Sequence, residues 1–292
     1  MYYVVYGFLW LVSLLPMRVL YFFSDIIYGF VFYVFKYRKS IVLSNLAIAF
    51  PEKTLKERTA IAKKFYHNLI DTFIESLEFI SLSKKQIQKR GTGEYDLINR
   101  LIEKGYNVHI MAGHQFNWEY ANLLYSLNLK ALFVGIYMPI SNKILDRIFY
   151  KFRSQFGTFL ISAQDFKNKM HKVFSQQYLL ALAADQNPGD PANGYWMDFL
   201  GKPVPFVTGP AKGAVKSKTA LVMIGFHKLK RGYFHFSASL IAENASLFTP
   251  QQLTLMYKNK LEEIILKDPS NYLWSHRRWK YDWKPEYGEI IK

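Results

Sequence analysis

From residue 91 to residue 267 short apolar runs alternate with amphipathic stretches of about ten residues. The runs at 108–111, 131–137, 158–161, 178–184 and 220–227 read as strands. The stretches at 95–103, 118–127, 142–156, 166–174, 210–217 and 250–267 read as helices. Residues 233–242 read as a further, antiparallel strand, and 185–207, rich in Gly, Pro, Asn and Asp, as a long loop. This rhythm predicts an α/β fold, a mostly parallel sheet flanked by helices. Residues 40–90 precede it as a helical segment. Ile61, Phe65, Leu69, Phe73 and Leu77 recur there at helical spacing with Ile70, Ile74 and Ile80 beside them, and Gly91-Thr92-Gly93 breaks the pattern.

The first 39 residues follow another pattern. Residues 1–17 carry no charged side chain, and as a helix they would reach about 26 Å, short of a ~30 Å hydrocarbon core. Pro16 interrupts them. A second apolar run, 19–35, contains Asp25 and ends in Lys36-Tyr37-Arg38-Lys39. A cleaved signal peptide fits poorly, because a basic leader and a small-residue cleavage site are both missing. The pattern predicts a short membrane-inserted helix and an amphipathic helix along the interface; a pair of buried core helices is the alternative. Arg18, Lys36, Arg38 and Lys39 place the body on the cytoplasmic side by the positive-inside rule. The expected organisation is an anchor with its interfacial helix at 1–39 and one body at 40–292, comprising a helical lead-in (40–90) and an α/β core (91–292).

Composition sharpens this. Half of the 292 residues are hydrophobic and 17% are aromatic, enough for a large core and suited to a lipid-facing surface. The formal charge of +16 favours an anionic partner. Between Asp198 and Glu243 there are no acidic residues but Lys202, Lys212, Lys216, Lys218, Lys228, Lys230 and Arg231. That run is either a solvated basic face or a docking surface for an anion. The absence of cysteine excludes disulfides, thiol nucleophiles and Cys-ligated zinc.

The histidines show no His-x-x-x-His spacing and no zinc set with nearby acids, so no metal or other cofactor is expected. Phosphate-loop, dinucleotide and Gly-x-Ser-x-Gly motifs are missing too. His114 stands out at the exit of the strand 108–111, after Gly113, with Glu119 five residues on. Folded back from the first turn of the next helix, Glu119 could orient one imidazole nitrogen and leave the other free as a general base. A structural histidine is the bland alternative. Arg153 falls at the edge of the apolar face of the helix 142–156, either snorkelling or turned toward an anion or a carboxylate. Asp185 follows the strand 178–184 as His114 follows its own, and neighbouring strand exits converge. It could pair with Arg153 or merely cap a turn.

With these residues in view, the chain resembles the late (secondary) lipid A biosynthesis acyltransferases, the lauroyl- and myristoyltransferase type. The resemblance covers nearly the whole chain. It rests on Asn45-Leu46 with Phe50-Pro51-Glu52, Gly113-His114 with Asn117-Trp118-Glu119, and Tyr137 with Pro139. Arg153-Ser154, Asp185-Gln186, Phe199-Leu200-Gly201 and Trp274-Ser275-His276-Arg277-Arg278-Trp279 complete it. His-x4-Glu is a variant of the His-x4-Asp motif of glycerolipid acyltransferases, whose fold is then expected. The resemblance implies transfer of a fatty acyl chain from an acyl carrier protein thioester to a hydroxyl of a lipid A precursor, by direct attack at the bacterial inner membrane. His114 would be the base, Glu119 its orienting partner, and Arg153 and Asp185 supporting positions. Asp185-Gln186-Asn187, and Leu200 where a second Phe is common, depart from the pattern and bear on chain length and acceptor fit. Another membrane lipid as acceptor remains an alternative on the same scaffold. A membrane-tethered nucleic-acid-binding protein, using the aromatic and basic stretch 274–284, is a remote one; no nucleic-acid partner is expected.

Overall fold

The computed structural model describes residues 1–292, the side chain of Lys167 excepted. The first apolar run forms α1 (Tyr2–Ser13) and stops before Pro16. The second forms α2 (Met17–Gly29) and continues through a π-helical turn, Phe30–Val34. Then come α3 (Lys39–Ala49), α4 (Leu55–Glu78) and α5 (Lys84–Arg90). Reciprocal capping boxes, Thr54 with Glu57 and Ser83 with Gln86, start α4 and α5 by satisfying free N–H groups. The inward stripe of α4 includes Phe65, Tyr66, Leu69 and Ile70, but Phe73 points outward. The inward positions around Phe73 are polar instead: Asp71, Thr72, Glu75 and Ser76.

Next in order are β1 (Gly91–Gly93), α6 (Asp96–Glu103), β2 (Val108–Ala112), α7 (Trp118–Asn128), β3 (Leu132–Tyr137) and α8 (Lys143–Arg153). They are followed by β4 (Phe159–Ser162), the short α9 (Phe166–Lys169), β5 (Tyr178–Ala183), β6 (Tyr195–Phe199) and β7 (Lys202–Phe206). α10 (Gly209–Ser217), β8 (Ala220–Lys230), β9 (Tyr233–Ala242) and α11 (Pro250–Lys267) complete the set. Seven strands form one sheet in the order β1-β9-β8-β2-β5-β3-β4, parallel throughout except where β9 runs against β8. The fold is therefore the expected α/β arrangement. Its central strands read as apolar runs because helices cover both faces.

Gly91-Thr92-Gly93 ends the helical pattern as expected and forms an edge strand paired with Phe234–Phe236. Two expectations are corrected. The helix expected at 166–174 is α9 followed by a 3-10 turn, Met170–Lys172. The loop expected at 185–207 contains the β6–β7 hairpin. Leu200 and Gly201 turn it with φ of 51° and 88°, as a two-residue hairpin turn requires. Pro203 and Pro205, which argue for loop, fit a two-stranded ribbon because alternate N–H groups there face away from the partner.

The basic run after Asp198 is not one face either. Lys228 and Arg231 both reach the buried Asp71, at 3.2 and 2.6 Å, and Lys202 pairs with Asp282 at 3.0 Å. The aromatic and basic stretch 274–284 also turns partly inward, with Trp274 and Arg278 in the core. Arg277, Lys280, Trp283 and Lys284 of the same stretch stay exposed.

Candidate active site

His114 and Asp185 meet at the carboxyl ends of β2 and β5. These neighbouring strands pair Ala112 with Ala183, so each residue lies two positions beyond a register partner. Asp185 accepts the His114 backbone N–H at 2.9 Å through Oδ2. Its Oδ1 lies 2.6 Å from His114 Nδ1. The second contact puts the proton on Nδ1 and leaves Nε2 free. Gly113 leaves room for Leu261 of α11, whose Cδ1 would stand 2.4 Å from a Cβ there.

Glu119 does not orient His114, and Arg153 does not pair with Asp185; the partners are exchanged. Asn117, in left-handed conformation (φ 69°), turns the chain into α7, and Glu119 in the first turn of that helix faces the end of α8. Arg153 Nε donates to both Glu119 oxygens at 3.0 and 2.9 Å, and Nη2 lies 2.5 Å from Oε1. Trp118 Nε1 adds a bond at 3.1 Å. α7 also holds the end of α8: Asn122 donates to the Arg153 carbonyl at 2.8 Å, and Ser126 to Phe156 at 2.7 Å. The arginine at the edge of an apolar face thus serves a carboxylate. Glu119 is 3% exposed, so removing its partner strands a buried charge, which costs about 3–5 kcal/mol. Arg153→Ala is expected to lower the unfolding midpoint sharply. Arg153→Ala with Glu119→Gln should recover most of it, measured by thermal unfolding in detergent.

The loop after β2 is clamped by residues that the sequence did not single out for chemistry. Leu273 N–H donates to the His114 carbonyl at 3.0 Å, and Asn271 Oδ1 accepts from Phe116 N–H at 3.2 Å. Asn45 in α3 donates at 2.7 Å to the carbonyls of both Trp274 and His276. Asn45-Leu46 and the Trp274–Trp279 motif were legible as family marks. Asn45 fixes the start of the Trp274–Trp279 motif, next to the Asn271 and Leu273 that grip the loop carrying His114.

A cavity of about 550 Å³ opens beside the pair. Its floor comes from one face of the sheet, at every second residue: Ile110 and Ala112 of β2, Ala181 and Ala183 of β5, Phe133 and Gly135 of β3. Its roof is α7, with Trp118, Ala121, Asn122 and Tyr125. Small side chains between helix and sheet leave this space open. His114, Glu119, Arg153 and Gln186 supply polar wall; most of the rest is apolar. Such a space fits an alkyl chain whose reacting end lies at a histidine. Among the described residues no three His, Cys, Asp or Glu side chains gather to hold a metal.

Electrostatics separates His114 from His109 and His276. Burial opposes a charged imidazole there, but the charge and hydrogen bond of Asp185 outweigh it, and His114 titrates above its ordinary value. Burial pushes His109 down to about 4; burial and Arg278 do the same to His276. Burial would raise the Asp185 carboxyl, yet His114, and more weakly Arg278, hold it below the usual carboxylate range. The depressed carboxyl stabilises the fold above its unfolded pKa of about 4, and this is lost as pH falls through the folded value. The raised imidazole stabilises fully below about 6.5, and this is lost as pH rises through its folded value. A His114 that served as a base would have to be neutral, and activity would then rise with pH through the raised pKa. The acid limb of kcat/KM is expected above the ordinary imidazole midpoint, in a pH–rate profile with substrate held below KM.

The fold thus sets a His–Asp pair of a mostly parallel α/β sheet at the mouth of an apolar cavity. The chain matches the family model "Bacterial lipid A biosynthesis acyltransferase" over residues 1–281, and it belongs to that family. It is an acyltransferase. It is 22% identical over 276 residues to the lipid A biosynthesis palmitoleoyltransferase of Escherichia coli (strain K12). It is 23% identical over 292 residues to the lipid A biosynthesis lauroyltransferase of the same organism. It is also 22% identical to the lipid A biosynthesis acyltransferase of Shigella flexneri. Each alignment covers 94% of this chain and 89% of the relative.

Proposed function

We propose that the protein transfers a fatty acyl chain from an acyl carrier protein thioester to a hydroxyl of a lipid A precursor, with His114 as general base and Asp185 as its orienting partner. The observation that carries this reading is the free His114 Nε2 at the polar end of an apolar cavity, opposite an Nδ1 held at 2.6 Å by Asp185. The acyl chain lies in the cavity with its thioester carbonyl at His114. Nε2 takes the proton as the acceptor hydroxyl oxygen attacks the carbonyl carbon. Asp185 steadies the resulting imidazolium. The tetrahedral intermediate then collapses, the carbon–sulfur bond breaks, and the thiolate leaves with the proton from Nε2. No acyl-enzyme forms, and no side-chain nucleophile is needed.

Glu119 and Arg153 form the polar wall at the reacting end. Their mutual neutralisation leaves that wall without the net charge that would repel either substrate. The formal charge of +16 favours encounter with an acidic carrier protein. The test is a purified-enzyme assay with a set of acyl carrier protein thioesters, the matching coenzyme A thioesters and a tetra-acylated lipid A precursor. Transfer from the carrier protein to the precursor is expected. Transfer to a phospholipid or aminoacyl lipid alone would overturn the acceptor, and exclusive use of coenzyme A the donor.

A further inference from the structure

The length and hydropathy of 17–34 qualify it as a membrane span, but what holds it argues otherwise. Ser24 Oγ, at the middle of α2, donates to Asp71 Oδ1 at 2.7 Å, and Tyr21 Oη to Glu75 Oε1 at 2.7 Å. Arg231 from the β8–β9 turn bridges Asp25 of α2 (2.7 Å) and Asp71 of α4 (2.6 Å). Gly232 lets that turn come close, because a Cβ there would stand 2.5 Å from Tyr21 Oη. The helix is therefore bolted at its midpoint to a buried charged cluster of the body. A span puts its midpoint at the bilayer centre. Here it would take the ion cluster Asp71–Lys228–Arg231 and Glu75 with it, or give up the Ser24–Asp71, Tyr21–Glu75 and Asp25–Arg231 contacts, and ionised groups at that depth are costly.

α1 is tied to the body too, by contacts nearer the surface. Tyr6 Oη lies 3.1 Å from Lys151 Nζ, Arg147 sits over the Tyr2 ring at 4.1 Å, and Ser81 Oγ donates to the Ser13 carbonyl at 3.0 Å. Its twelve residues reach about 18 Å, little more than half a hydrocarbon core. Yet the outer sides of both helices are apolar and exposed: Tyr3, Phe8 and Leu11 on α1, Phe22, Phe23 and Ile26 on α2. Arg18, Lys36 and Arg38 stand exposed around them. A soluble protein rarely shows such a face, and basic residues beside it match the anionic headgroups of a bilayer.

We propose that α1 and α2 form a lipid-binding face lying in one leaflet of an anionic bilayer, neither helix crossing it. The occupant is a membrane surface, and both ends of the hairpin stay on the side of the body. α1 rests on α8 through Lys151 and Arg147, and the same helix ends at Arg153 in the cavity wall. Resting on the proposed function, this arrangement delivers an acyl acceptor sideways from the leaflet to His114 without leaving the lipid.

The chain has no cysteine, so single-cysteine variants report without background. Tyr3→Cys, Leu15→Cys and Phe35→Cys mark the start of α1, the turn between the helices and the end of the π-helical turn. Leu247→Cys, on the exposed body, marks the body's side. Each full-length variant is treated with a membrane-impermeant methanethiosulfonate in two preparations. Outer-membrane-permeabilised cells show the reagent the periplasmic side, and inverted inner-membrane vesicles the cytoplasmic side. All four are expected to cosediment with membranes and to react at background level from the side opposite Leu247→Cys. Reaction of the cysteine at 3, 15 or 35 from that opposite side overturns the proposal, as does recovery of the protein in the soluble fraction. No donor or acceptor enters the assay, so its failure is distinct from failure of the acyl-transfer reading.

Discussion

Replacing His114 with alanine is expected to lower the turnover of thioester and acceptor by ~10²–10⁴-fold, the usual range for a general base. The protein should stay folded and membrane-bound, since the His114 backbone, which makes the bonds to Asp185 and Leu273, is retained. The residue is 28% exposed at the cavity wall, so its loss opens no sealed void. The measurement is kcat/KM with the purified variant, beside a thermal unfolding curve. Near-wild-type turnover would remove His114 from the chemistry and leave only the acyl cavity to explain.

Asp185→Asn should approach the same loss, about 10²–10⁴-fold, although the side chain barely changes shape. The corresponding exchange in a serine-protease triad costs about 10⁴ in kcat because the imidazole takes the wrong tautomer and its charged form loses support. Here the same two effects apply, since Asp185 both accepts the Nδ1 proton and opposes the burial of a charged ring. Without that charge burial alone remains, and the pKa of His114 falls. The acid limb of the residual activity should therefore move to lower pH. Glu119→Gln gives the contrast: it disturbs Arg153 and the cavity wall but leaves the His114–Asp185 contact, so its acid limb should stay in place. A limb that moves with Glu119→Gln and not with Asp185→Asn would restore the pairing that the spacing His114–Glu119 suggests.

The reason that spacing misleads is physical. A carboxylate five residues along the chain and one seventy-one residues along are equally able to hold an imidazole. The choice is made by register. β5 lies beside β2 with Ala112 opposite Ala183, and His114 and Asp185 inherit that alignment. Sequence displays the equal offset of both residues from their strands but not which strands are neighbours. Glu119, meanwhile, is carried by the first turn of α7 toward α8, where an arginine already waits. The strands themselves were legible because central parallel strands are buried on both faces and need unbroken apolar runs. The β6–β7 ribbon was not, because its alternation of Met197, Phe199, Val204 and Phe206 is interrupted by prolines tolerated only where no inner hydrogen bond is required. The N-terminal helices were legible in length and apolar character. Their attachment was hidden, because Tyr21, Ser24 and Asp25 look like minor polar interruptions until Asp71, Glu75 and Arg231 meet them.

The clamp on the His114 loop also sets an order in time. Asn271 and Leu273, which grip the loop after β2, follow it by about 155 residues. Because the chain is made from its amino end, all seven strands of the sheet and the apolar slot exist before that grip can form. A nascent chain that stops short of Asn271 therefore carries an unbraced His114.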